Sequence, residues 1–182
     1  MNTYTQSELF TMSELMNVFV ISDHHFYHEN IIRYCNRQFK NLREMHYVMI
    51  ENWNSVVSKD DTVLHLGDFS FGNKRIVSRV RKHLNGKIYL VKGNHDKHGI
   101  AWYKNVGITM FKKPFFIGGF LFSHASKHDI GPNMINICGH SHNKIPLSTE
   151  SNGNKFYNVS VENMDYTPIR IKELIYGNKP YR

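Results

Sequence analysis

Five short clusters in this chain carry side chains of the kind that bind divalent cations: Asp23-His24-His25, Gly67-Asp68, Gly93-Asn94-His95-Asp96, Ser123-His124 and Gly139-His140-Ser141-His142. Imidazole, carboxylate and amide donors without a thiolate suit divalent Mn, Fe, Zn, Co or Ni. A single His at a strand end is ordinarily a hydrogen-bonded polar residue, and a single Asp in a turn is ordinarily turn chemistry. Five such clusters, each placed where an apolar run stops, are hard to account for as packing. Asp23/His25 and His140/His142 are spaced i, i+2, which puts each pair on one side of an extended chain. The glycines before Asp68, Asn94 and His140 permit sharp turns and close approach to an ion.

Strands must deliver these clusters, and the sequence supplies them. Residues 18–22 (VFVIS) form a short apolar run ending in a polar cluster, which reads as a buried strand. Strands are also expected at 62–66, 87–92, 135–138, 155–161 and 169–175, with a hairpin of 110–117 and 120–123 across Gly118-Gly119. The clearest helix is 41–58, where Leu42, Met45, Met49, Trp53 and Val56 share a face and Asn41 with Glu44 resembles a capping box. A basic amphipathic helix is expected at 74–84, closed by Asn85-Gly86. In open α/β sheets, ligands bind outside the carboxyl ends of strands, so these elements would bring the five clusters to one rim. Residues 1–16 read as an N-terminal extension of unassigned role.

Composition bounds the rest. At 182 residues one domain is the natural expectation, and 41% hydrophobic with 21% charged residues is ordinary for a soluble globular chain. No apolar run approaches the roughly 20 residues of a membrane span. The opening MNTYTQSELF lacks the basic and apolar regions of a secretory signal. Cys35 and Cys138 are too few for a disulfide framework or a thiolate metal site, so a cytoplasmic setting is the default expectation. Lys and Arg outnumber Asp and Glu by 23 to 15, a net charge of +8 that favours anionic partners.

The order Asp-x-His, Gly-Asp, Gly-Asn-His-Asp, a lone His, then Gly-His-x-His resembles the calcineurin-like metallophosphoesterase superfamily over residues 17–175. Within it, SDHHFYHENII, VLHLGDF, KGNHD and GHSHN look like a small bacterial and phage branch of phosphoesterases. The resemblance implies one α/β domain over 17–182: a four-layer α-β-β-α sandwich of two mixed sheets flanked by helices, with metals at one end. It implies that Asp23, His25 and His142 hold one metal, that Asn94, His124 and His140 hold a second, and that Asp68 bridges them. His95 would sit beside the scissile phosphate without binding metal. Two divalent ions are implied, manganese first among Mn, Fe, Zn, Ni, Co and Mg.

Such a site would hydrolyse a phosphoester by in-line attack of a metal-bridging hydroxide, with His95 as general acid or electrostatic clamp. Asp96 would support His95 in catalysis or cap the following helix. The Asp-Arg-Gly signature of the Ser/Thr protein phosphatases is absent, since Asp68 is followed by Phe69-Ser70-Phe71-Gly72. Ala125-Ser126 follow His124 where related sequences usually show Tyr-Pro, which bears on substrate preference. Three functions stand: hydrolysis of phosphodiesters in nucleotides or nucleic acid, which the charge favours; a phosphomonoesterase acting on a small metabolite; and a non-catalytic binding module, which should lack ligands or the catalytic His. No membrane partner is expected, and oligomeric state is not legible.

Residues 26–39 follow the first ligand pair and are a candidate substrate-reading segment. His28 lies three residues beyond His25 and should stay near the metals. A short helix over 29–36 would align Asn30, Arg33 and Arg37, with Ile31, Ile32 and Cys35 against the sheet. Arg33 and Arg37 would grip a second phosphate or stack on a base, or else pair with carboxylates such as Glu29. His24 should face away from the ligands, and His65 is a support for them or a buried core residue. His46, His83, His98 and His128 read as surface or structural.

Overall fold

The structure, a computed structural model, describes residues 10–177. In chain order the elements begin α1 (Met12–Asn17), β1 (Phe19–Ile21), α2 (Ile31–Tyr34), α3 (Leu42–Val56), β2 (Thr62–His65), α4 (Lys74–His83) and β3 (Lys87–Val91). They continue α5 (Ile100–Lys104), β4 (Ile108–Phe111), β5 (Phe115–Ile117), β6 (Phe120–Phe122), β7 (Ile135–Cys138), β8 (Ser148–Ser151), β9 (Asn154–Asn158), β10 (Ile169–Arg170) and α6 (Ile171–Tyr176). Two five-stranded sheets result, ordered β10-β1-β2-β3-β4 and β5-β6-β7-β9-β8. Both are mixed: β1 to β4 run parallel with β10 antiparallel, and β6, β7 and β9 run parallel between antiparallel β5 and β8.

Parallel neighbours need crossover connections, and α2 to α5 supply them between β1 and β4. On α3, Met45, Met49 and Trp53 are buried along one face, and the Asn41 side chain caps the start by accepting from the Glu44 amide at 3.0 Å. The Glu44 carboxylate reaches back one residue further than a capping box requires, to the Lys40 amide at 2.6 Å. The strands alternate as their period dictates. Phe19, Ile21, Val63, Ile88, Leu90, Ile108 and Met110 face the helices. Val20, Leu64 and Val91 face the second sheet, where Phe115, Phe122, Ile137 and Tyr157 meet them. The result is a mixed α/β fold of two mixed sheets with flanking helices. No helix among the described residues is long and apolar enough to cross a membrane.

Two expectations need correction. The run 110–117 is not one strand: β4 closes the first sheet at Phe111 and β5 opens the second at Phe115. Pro114 lacks the N–H a ladder needs, so the chain changes sheet there. The hairpin across Gly118-Gly119 is present, with Ile117 opposite Phe120. At 169–175 only Ile169 and Arg170 pair with β1, and Ile171–Tyr176 is helical, burying Ile171 and Leu174 at i, i+3. Strand β8 was not anticipated because its sequence, STES, has no apolar alternation. Of the 16-residue N-terminal segment, 1–9 lie outside the described residues. Met12–Asn17 forms a helix with a Thr11/Glu14 capping box, and its Leu15 is fully buried. The carboxyl ends of the two sheets meet where Ser22, after β1, bridges Ser160, after β9.

Candidate metal centre

The five clusters converge at that rim. Asp23, His25, Asp68, His140 and His142 all have left-handed backbones, with φ of 61°, 52°, 56°, 70° and 49°. The i, i+2 pairs therefore do not lie on extended chain as the spacing suggested; tight left-handed turns bring their side chains together instead. Such residues are uncommon outside glycine and gather at functional sites. The preceding glycines serve chiefly as room. A Cβ on Gly93 would fall on the Asp68 carboxylate and amide, and one on Gly139 would fall on the Asp23 carboxylate and the Ser22 hydroxyl. Only Gly67, at φ 105°, is itself left-handed.

Two groups of donor atoms result. In the first, His25 Nε2 lies 3.9 Å from Asp23 Oδ1 and 3.5 Å from Asp68 Oδ2, and His142 Nε2 lies 4.0 Å from Asp23 Oδ1. Asp23 Oδ1 and both His25 nitrogens are buried without a hydrogen-bond partner. In the second, Asn94 Oδ1 lies 2.8 Å from His124 Nε2 and 3.1 Å from His140 Nδ1, the two imidazole nitrogens are 3.2 Å apart, and Asp68 Oδ2 is 3.4 Å from His124 Nε2. Donor atoms bound at about 2.0–2.2 Å around one ion lie roughly 3–4 Å apart, which is the spacing seen. His124 Nδ1 is held by the Leu66 carbonyl at 2.8 Å, so its Nε2 is the atom offered to the centre. Asp23, His25 and His142, and likewise Asp23, Asp68 and His124, bring donor atoms close enough to share one ion, and the residues fit divalent metal ions.

The electrostatics agree. Burial works against the charge on Asp68, but His124 and the His95 amide hold its carboxyl at about 2. Burial pushes His25 down to about 2, leaving neutral imidazole as metals require. His124 is pulled up to about 9 against burial by the Asp68 and Asp23 carboxylates. His142 is pulled up to about 10 against burial by Cys35 and Glu162. These two imidazoles hold protons where a metal would replace them.

The sequence model of the calcineurin-like phosphoesterase superfamily domain matches residues 16–159. The chain belongs to that superfamily. It is 34% identical over 171 residues to the uncharacterized protein MJ1445 of Methanocaldococcus jannaschii, covering 88% of this chain and 90% of that one. The crystal structure of the protein of unknown function AQ665 from Aquifex aeolicus superposes with a TM-score of 0.66 at 29% identity, over 87% of this chain and 97% of that one. The nuclease MPE of Pseudomonas putida is a looser likeness, with a TM-score of 0.49 at 20% identity over 70% of this chain and 62% of that one.

In this calcineurin-like phosphoesterase, other buried polar groups hold the candidate ligands in place. Asp23 Oδ2 accepts from the His140 amide at 2.8 Å and the Ser160 hydroxyl at 3.0 Å, which turns Oδ1 to the centre. Glu162 Oε1 accepts from His142 Nδ1 at 3.0 Å, which leaves His142 Nε2 facing Asp23. Arg37 is the main correction to the expected substrate contacts. Its guanidinium is buried: Nε donates to Glu162 Oε1 at 2.9 Å, Nη1 and Nη2 donate to the carbonyls of His24 and Asp23 at 2.9 and 2.7 Å, and Nη2 also lies 2.8 Å from Glu162 Oε1 as an ion pair. Buried against these partners, it is not turned out toward a phosphate. Arg33 is exposed and donates to Asn30 Oδ1 at 2.9 Å, pointing along its own helix. Helix α2 spans only Ile31–Tyr34, so Arg37 lies beyond it rather than in line with Arg33.

Asp96 is likewise not at the reacting centre. Its Oδ2 accepts from the amides of Asp68 and Gly93, both at 2.8 Å, and its Oδ1 accepts from the Phe69 amide at 3.2 Å and the Tyr103 hydroxyl at 3.0 Å. Burial works to raise its pKa, yet three N–H groups and one O–H are the partners of a carboxylate. It ties the Gly67-Asp68 turn to the Gly93-Asn94 turn. His24 and His65 are fully buried and hydrogen-bonded to each other at 2.9 Å, behind the ligands.

His95 is half-buried, donates its amide to Asp68 Oδ1 at 2.8 Å, and its ring centroid lies 5.4 Å from that of His25. His28 lies 5.6 Å from His25 and stacks on Phe71 at 4.2 Å, with its Nδ1 buried and unpartnered. Ser160, Glu162 and Phe71 were missed. The strand-end argument, applied to β9 as to the other strands, points to Ser160 and Glu162.

Proposed function

We propose that this protein is a divalent-metal-dependent phosphodiesterase acting on nucleotides or nucleic acid. The supporting observation is the position of Asp68 Oδ2, which lies 3.5 Å from His25 Nε2 and 3.4 Å from His124 Nε2. One carboxylate oxygen thus faces both donor groups, as a bridge between two cations must. Asp23, His25 and His142 would hold one ion, and Asn94, His124 and His140 the other. When bound, the ions would supply Lewis acidity to the phosphoryl oxygens and lower the pKa of water between them. Asp68 keeps the two positions in register, with its second oxygen pinned by the His95 amide. His95 would give a proton to the leaving oxygen from its place beside His25. Arg37 and Glu162 keep His142 and the Asp23-His24 turn fixed during turnover.

A diester is favoured over a monoester because a terminal phosphate adds negative charge. Arg37, the guanidinium beside the centre, is buried against Glu162 and two backbone carbonyls rather than presented to meet it. The net charge of +8 suits a polyanion bound more broadly. A non-catalytic role would be signalled by lost ligands or a lost His95, and all are present.

The test is a screen with Mn²⁺ of bis-p-nitrophenyl phosphate, p-nitrophenyl phosphate, cyclic nucleotides and single-stranded oligonucleotides. The expected result is diester hydrolysis that chelator abolishes and Mn²⁺ restores. Undiminished activity after complete metal removal, or turnover of the monoester alone, would refute the reading.

A further inference from the structure

A groove of about 320 Å³ opens beside the reaction centre, lined by Ser70, Phe71, Gly72, His95, Lys97 and His98. Its volume is at the lower end of ordinary small-molecule sites. His95 links it to the metal centre, since that ring is 5.4 Å from His25 and 4.9 Å from Phe71. The separations among Phe71, His28 and His95, 4.2, 4.9 and 6.4 Å, close nearly a right angle at Phe71. His28, tilted only 19° from the Phe71 ring, therefore covers one face, and His95 stands at the ring's edge. No aromatic or imidazole ring among the described residues covers the opposite face. Also in the lining, Lys97 is exposed, and His98 is packed flat on Trp102 at 3.9 Å.

We propose that this groove is the leaving-group subsite for a nucleoside that carries a further phosphate: its base stacks on Phe71 and its distal phosphate pairs with Lys97. The inference rests on the phosphodiesterase reading above and specifies its substrate class. Hydrolysis places the water oxygen on phosphorus and breaks the P–O bond to the leaving nucleoside. The departing alcohol takes its proton from His95, so the group that leaves must lie on the His95 side, where the groove is. A flat aromatic wall accepts any base without reading its edge, and a single ammonium in the lining accepts a phosphate without fixing its orientation. This chemistry fits the interior of a single strand, or a dinucleotide with a terminal phosphate, rather than a simple alkyl or aryl diester.

The test uses the Mn²⁺-loaded full chain and four kinds of substrate: bis-p-nitrophenyl phosphate, a thymidine dinucleotide, the same dinucleotide with a 5′- or a 3′-terminal phosphate, and dinucleotides lacking one base. Removing the base of the leaving nucleoside should lower kcat/KM by about tenfold. A terminal phosphate on that nucleoside should raise kcat/KM several-fold, chiefly through KM. Lys97→Ala should erase this gain while Lys97→Arg keeps it, a pattern that general loss of folding cannot produce. If bis-p-nitrophenyl phosphate is hydrolysed but base and terminal phosphate make no difference, the subsite is refuted and the phosphodiesterase reading stands. If no diester is hydrolysed, both fall.

Discussion

Replacing Glu162 by Gln tests whether a buried relay from Arg37 sets the geometry of His142. In the native protein Glu162 Oε1 accepts from Arg37 Nε at 2.9 Å and His142 Nδ1 at 3.0 Å, and Arg37 Nη2 lies 2.8 Å away as the other arm of the ion pair. Glutamine keeps the shape and one acceptor but removes the charge that offsets the buried guanidinium. Removing one partner of a buried ion pair costs about 3–5 kcal/mol, and the retained acceptor and the two carbonyl partners of Arg37 argue for the lower end. At roughly 2–4 °C per kcal/mol for a chain of this size, the Tm of metal-free protein should fall by about 6–12 °C. Mn²⁺ affinity should fall by about 10–100-fold, the usual effect of removing a group that orients a ligating His. The loss should widen with pH. In the native protein a proton on His142, held up to about 10, competes with metal and is shed as pH rises. Without Glu162 that competition is already weak at neutral pH, so the variant gains less. Calorimetric Mn²⁺ titrations between pH 6.5 and 8.5, with thermal unfolding of the metal-free forms, supply both readouts. A Kd within about twofold of native at every pH, with unchanged Tm, would refute the relay.

Further outcomes follow from the same geometry. Asp68→Asn should lower both metal occupancy and turnover, whereas His95→Ala should keep the metals and reduce kcat by about 10²–10⁴; metal analysis alongside kinetics separates them, and a metal lost from His95→Ala would overturn the division of roles. Asp96→Ala should destabilise the metal-free protein by more than about 3 kcal/mol, because three buried amides and a hydroxyl lose their acceptor, and chemical denaturation measures it. Metal uptake at pH 7 should release about two protons, from His124 and His142, read from binding enthalpies in buffers of different ionisation heat. The His142–Glu162 pair should stabilise metal-free protein fully below the ordinary imidazole value of 6.5. That contribution is lost as pH rises through about 10, so the Tm of metal-free protein should decline across that window.

Much of the centre was legible because metal chemistry demands particular side chains, and apolar runs mark the strands that carry them. Asp23, His25, Asp68, Asn94, His124, His140 and His142 could be singled out and are brought together at one rim. Less legible was anything that depends on a partner distant in sequence. Arg37 reads locally as a free cation near a helix, and only its meeting with Glu162, 125 residues on, makes it a buried brace. Asp96 follows a His and invites a catalytic reading, but its acceptors are spent on backbone at Asp68 and Gly93. The division of 110–117 between two sheets was marked by Pro114, whereas the turn of 171–176 into a helix required weighing the i, i+3 spacing of Ile171 and Leu174 over strand propensity.

Five of the seven candidate ligands sit in left-handed turns closed by neighbouring backbone. Those turns are held by the protein's own hydrogen bonds, among them the Asp23 amide to the Gly67 carbonyl and the His25 amide to the Asp68 carbonyl, both at 3.0 Å. Such turns would make the site a preformed mould rather than a flexible chelator, one that resists spreading or contracting to suit each metal's preferred radius. Ions close in size should exchange without refolding, and the one resident in a cell would follow local supply more than discrimination by the site. Drift in sequence is confined by the same rigidity, since a β-branched residue at position 23, 25, 68, 140 or 142 would strain the main chain even where its side chain fitted.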